Sequence, residues 1–92
     1  MTQNAKLFAS IRRNPADVRF RDACKAAVMI GFVRKGGKGS HRAFARPGEP
    51  IALNFQDRGG KIPPYQARQL IQMLNKYVSE SEDSDSRNAS RG

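Results

Sequence analysis

His41 is the one histidine in the chain, and cations crowd around it. Lys35, Lys38 and Arg42 lie within six residues, and Arg58 and Lys61 follow in a second glycine-containing segment. Imidazole as a side-chain type titrates near pH ~6.5, so it can accept or donate a proton at neutral pH. Cleaving a phosphodiester in RNA requires a 2′-hydroxyl to lose a proton and the leaving 5′-oxygen to gain one. The extra negative charge on phosphorus must also be stabilised. One histidine with basic neighbours supplies the proton step and the charge step, with Lys35, Lys38, Ser40, Arg42, Arg58 and Lys61 as candidate contacts to a nucleic-acid backbone. On residue chemistry alone the plainer reading of His41 is an ordinary surface side chain, and of each cation a solvated charge. The proton-transfer reading stands beside it.

Other chemistries fit less well. The string Gly36-Gly37-Lys38-Gly39-Ser40 lacks the Gly-x-x-x-x-Gly-Lys-Ser/Thr order of a phosphate-binding loop, because Lys38 is followed by glycine. A triad drawn from Ser40, His41 and Asp57 fails because adjacent strand residues point to opposite faces. Cys24 is the single cysteine, so no intramolecular disulfide forms, and one Cys with one His cannot make a zinc site. A reduced, buried, inert thiol is expected, with no metal and no small-molecule cofactor. Tyr65 and Tyr77 have helical spacing and read as core or rim rather than as base-stacking platforms.

The charge is unevenly placed. Seventeen Lys and Arg against eight Asp and Glu give +9 overall. Residues 1–78 hold 15 basic and 4 acidic side chains, a net +11, whereas residues 79–92 carry −2. A basic body of this size favours a polyanionic partner, because each neutralised phosphate releases condensed counterions. Nucleic acid is the leading partner class, with an acidic protein or lipid headgroups, or no charged partner and a charge that serves solubility alone, as the alternatives. No apolar run approaches the ~20 residues of a membrane span, and the start, MTQNAKLFASIRR, lacks the pattern of a secretory signal. A cytoplasmic protein, beginning here, is expected.

These residues need a frame. Asn4 reads as the N-cap of a helix over Ala5–Arg13, an accessory element stopped by Asn14-Pro15. A second helix is expected from Arg21 to Ile30, with Phe20, Ala23, Cys24, Ala27 and Val28 on its buried stripe and Gly31 as a left-handed C-cap. A short strand over Phe32–Lys35 turns through the glycines into a second over Ser40–Arg46. After Pro47-Gly48-Glu49-Pro50, the residues Ile51, Leu53 and Phe55 alternate with polar or small ones as a third strand. Pro63-Pro64 opens the last helix, to about Val78, with Ala67, Leu70, Ile71, Leu74, Tyr77 and Val78 on one side. This order, α-α-β-β-β-α, implies an α+β domain over residues 1–78: a three-stranded antiparallel sheet with helices on one face. Residues 79–92, Ser-rich and acidic, are expected to be a disordered tail.

In the second strand Phe44 is the large apolar residue, so it points to the core together with Ser40 and Arg42. His41, Ala43 and Ala45 then point to the uncovered face, which Asn54 and Gln56 should share.

The stretches VRFRDACKAAVMIGF, KGSHRAFARPGEP and IALNFQDRGGKIPPYQARQLIQML, spanning about Leu7 to Tyr77, resemble the HicA toxins of bacterial type II toxin-antitoxin pairs, in the branch with an added N-terminal helix. Gly39-Ser40-His41 with Phe44 forms the core of the resemblance. Gly31-Phe32 upstream, and Gly60-Lys61 leading into Pro64-Tyr65-Gln66 and Arg68-Gln69 downstream, extend it. The resemblance implies a double-stranded-RNA-binding-like fold and a metal-independent mRNA endoribonuclease. It also implies a strand histidine needed for cleavage, matching His41, and a cognate HicB antitoxin that covers the active site. Arg42 stands where many members carry a second histidine, which keeps open a chain that binds RNA without cutting it. Arg34 occupies a position that is often apolar in relatives.

Overall fold

The structure, a computed structural model, describes residues 3–78. Its elements are α1 (Gln3–Arg13), one turn of 3-10 helix (Pro15–Asp17), α2 (Phe20–Met29), β1 (Val33–Gly36), β2 (His41–Ala45), β3 (Leu53–Gln56) and α3 (Pro64–Val78). The strands form an open antiparallel sheet in the order β1-β2-β3. The helices lie on one face of it, so the protein is α+β with the expected order of elements. No helix among the described residues is long and apolar enough to cross a membrane. The expected tail lies outside the described residues.

The core forms because each element contributes one apolar line. Phe44, Leu53 and Phe55 of the sheet join Leu70, Met73 and Leu74 of α3 in a single buried cluster. Three alanines, Ala23, Ala26 and Ala27, are 0 % exposed and let α2 sit close to that cluster. Helix α1 is more than an accessory: Phe8 and Ile11 are buried in the same core, and Arg12 Nε donates to Asn75 Oδ1 of α3 at 3.1 Å.

Several local expectations are corrected. Asn4 lies inside α1, which begins at Gln3, and so does not cap it. Val28 is 57 % exposed rather than buried. The core-facing line of α2 runs through Ala23, Ala26 and Ala27 and continues to Ile30 just after the helix, and Val28 lies off that line. Cys24 is half-buried, and its burial still pushes the thiol up, away from the reactive thiolate. Gly31 is the expected cap, at φ 98°, with its own N–H donating to Val28 O and that of Phe32 to Ala27 O. This turn drives Phe32 into the core, so β1 starts one residue later, at Val33.

The β2–β3 connection is held by a buried carboxylate. The Glu49 side chain is 1 % exposed and accepts hydrogen bonds from Lys76 Nζ at 2.6 Å, from the Tyr77 hydroxyl and from the Ile51 N–H. Those donors, Lys76 first, hold the Glu49 carboxyl at about 2. A folded-state value below the unfolded one means the contribution to stability is complete above the ordinary glutamate value of 4.5 and is lost as the pH falls through about 2. Glu49→Gln is therefore expected to lower the melting temperature clearly at neutral pH, with the gap to wild type closing as both are titrated from pH 4.5 toward 2. Thermal unfolding at several pH values checks this, and a constant gap would contradict it.

Candidate nucleic-acid interface

Strand β2 places its residues by alternation. Phe44 is 3 % exposed and packs against Phe55 with the rings tilted and their centroids 5.7 Å apart, which fixes the helix-facing side. Arg42 and Arg46 point the same way. The Arg42 guanidinium lies over the Phe20 ring of α2 at 5.5 Å, and Arg46 lies over Tyr77 of α3 at 3.8 Å while donating Nε to Ile30 O at 2.9 Å. His41, Ala43 and Ala45 are consequently on the open face, and His41 is exposed. Asn54 and Gln56 lie opposite Ala43 and His41 on the same face, as expected.

The pair His41–Gln56 is the tight kind. Asp57 N donates to Ser40 O at 2.8 Å, just beyond the pair, so the two residues share no backbone hydrogen bond and their side chains approach most closely. Gln56 Oε1 accepts from an Arg58 terminal nitrogen at 3.1 Å. An imidazole, a carboxamide and a guanidinium thus stand in a row along one end of the sheet.

Arg58 is held there by its own turn. Gly59 and Gly60 have φ of 62° and 93°, and Arg58 and Lys61 exchange both backbone hydrogen bonds across them. Asp57 Oδ1 accepts from Gly60 N at 2.7 Å, and Gly60 O accepts from Phe20 N at 2.9 Å, anchoring the turn to the start of α2. Asp57 therefore braces the turn that carries Arg58.

The other expected contacts divide. A bulge between Arg34 and Gly36 gives Lys35 no opposite number on β2 and leaves its side chain exposed on the edge strand. Lys38 tops the hairpin, where its carbonyl accepts from His41 N at 2.9 Å, and Ser40 is exposed beside it. Neither lysine makes an ion pair among the described residues. Arg42 does not join this group. It sits on the opposite face and clamps the hairpin from below, donating to the carbonyls of Gly39 and His41. Lys61 is paired with Asp17 at 2.7 Å, which holds that carboxyl below its usual range. The imidazole of His41 makes no hydrogen bond or ion pair among the described residues. Among the described residues, no group of three or more His, Cys, Asp or Glu comes together there.

Sequence reading missed two participants. Gln66, 5 % exposed, uses Oε1 to accept the outward N–H of Gln56 at 2.8 Å and Nε2 to reach the Tyr65 hydroxyl at 3.2 Å. A polar residue on the apolar side of the last helix, between Pro64 and Ala67, was the available signal. Comparison with known proteins returns no match among family models, curated proteins or solved structures.

The hairpin that delivers His41 depends on Gly37. Its φ is 114°, and an added Cβ would stand 2.3 Å from His41 O, whereas at Gly39 (φ 57°) it would meet nothing within 4 Å. Gly39→Ala is expected to cost about 1–2 kcal/mol of left-handed strain. Gly37→Ala adds a backbone clash and is expected to exceed about 3 kcal/mol. Denaturant unfolding measures both, and equal costs would contradict the geometry.

Proposed function

We propose that the open face around His41 is the RNA-cleaving site of a HicA-type toxin, a metal-independent mRNA endoribonuclease acting in the cytoplasm and restrained by a cognate HicB-type antitoxin. The observation that carries the reading is the row His41–Gln56–Arg58. It joins an exposed imidazole to a guanidinium held on Gln56, on a sheet face that no helix among the described residues covers.

In this reading the phosphate backbone lies across the row, gripped by Arg58, Lys35 and Lys38, with Ser40 at the rim. His41 takes the proton from a 2′-hydroxyl as its oxygen attacks the adjacent phosphorus. The bond to the 5′-oxygen breaks, that oxygen collects a proton from the imidazolium, and a 2′,3′-cyclic phosphate and a 5′-hydroxyl end result. Arg58 stabilises the charge that builds on the non-bridging oxygens. The antitoxin would occupy the same uncovered face and exclude RNA from it.

A non-catalytic RNA-binding module on the same fold is favoured by one specific observation. No group among the described residues orients the His41 ring, whereas a catalytic base is ordinarily held by a third residue. Cleavage of single-stranded RNA in EDTA separates the two. His41→Ala is expected to lower the rate by about 10²- to 10⁴-fold while RNA affinity is kept, and cutting that survives the substitution overturns the catalytic role. Arg58→Ala and Lys35→Ala are each expected to reduce the slope of log affinity against log salt by about 1. An unchanged slope removes that residue from the backbone contacts.

A further inference from the structure

Tyr65 is 56 % exposed in the first turn of α3, immediately after Pro64. The helix turns Gln66 and Ala67 inward and leaves this ring in water, so its large apolar area contributes little to the core. The ring is nevertheless tethered. Its hydroxyl accepts from Gln66 Nε2, and the other end of the same amide accepts the N–H of Gln56, the residue opposite His41. One aromatic ring is therefore held at the outer edge of β3, two hydrogen bonds from the row of imidazole, amide and guanidinium, with more than half of the residue exposed.

We propose that Tyr65 is the base-stacking platform of this site, so that its substrate class is single-stranded RNA engaged through one unpaired base. The proposal rests on the functional reading above and deepens it. Every base offers a π-face, so stacking on an exposed ring is strong and tolerant of sequence. In a duplex both faces of each base are covered, and only the backbone charges remain to be bound. A tyrosine whose exposed ring is tethered through its hydroxyl discriminates between the two, which the lysines and Arg58 cannot do.

The test uses the full chain and a single-stranded oligonucleotide of about ten nucleotides, blocked against cleavage by 2′-O-methylation and carrying 2-aminopurine, alone or annealed to its complement. Wild type is expected to quench the single strand and bind it more tightly than the duplex. Tyr65→Leu should weaken single-strand binding ~10- to 100-fold and leave the duplex unchanged, while Tyr65→Phe keeps most of the wild-type affinity. Because the chain contains no tryptophan, Tyr65→Trp adds a unique indole that single strands should quench and duplexes should not. Single-strand affinity indifferent to Tyr65→Leu, a phenylalanine variant as weak as the leucine one, or an unquenched indole overturns the stacking role and leaves the RNA site standing. Failure of wild type to bind either RNA at low salt overturns both.

Discussion

The register of β2 is the constraint on which the rest depends. Side chains alternate at every step of a strand, so a slip of one residue would send His41 beneath the helices and expose Phe44. Four contacts oppose that slip. Phe44 is packed on Phe55, Arg42 lies over Phe20, Arg46 lies over Tyr77 while bonding Ile30 O, and Gly37 allows a close turn that no other residue fits. The two arginines contribute twice, since their stems cover apolar surface and their heads satisfy carbonyls at the rim of the core. With β2 locked, pairing with β3 places Gln56 opposite His41, and the glycine turn after β3 places Arg58.

Charge is distributed to match. Arg42, Arg46, Lys61 and Lys76 each have a structural partner on the helix side or in the connections. The four carboxylates of residues 3–78 are elsewhere too. Asp57 braces a turn, Glu49 is buried under Lys76 and Tyr77, Asp17 is tied to Lys61, and Asp22 lies on α2. The open face therefore carries His41, with exposed Lys35, Lys38 and Arg58 at its edges and no carboxylate of the described residues on it. A surface with one sign of charge raises the local concentration of oppositely charged ions around it.

Much of this frame was legible in the residues. The 3.6-residue stripe of α3 and the alternation of Leu53 and Phe55 are strong local signals, and Phe44 alone was enough to assign the faces of β2. What stayed hidden was long-range. Nothing local tells that Lys61 meets Asp17, that Glu49 is buried against the end of α3, or that Arg42 runs under its own hairpin. Val28 was misplaced because its spacing fits a buried stripe, while the buried line of α2 runs instead through Ala23, Ala26 and Ala27. Tyr65 read as rim or core, since helical spacing does not report whether an exposed ring is tethered; the polar position of Gln66 was a signal, but its bond to Gln56 depends on the long-range packing of α3 beside β3.

The most direct test of the open-face site is an NMR titration of the full chain with cleavage-blocked single-stranded RNA. Its one histidine makes the imidazole signals unambiguous. The account predicts that the His41 ring and the methyls of Ala43 and Ala45 shift together at the lowest RNA additions, while the methyls of Val28, on α2 behind the sheet, stay in place. Shifts centred on Val28 with an unmoved His41 ring would contradict it.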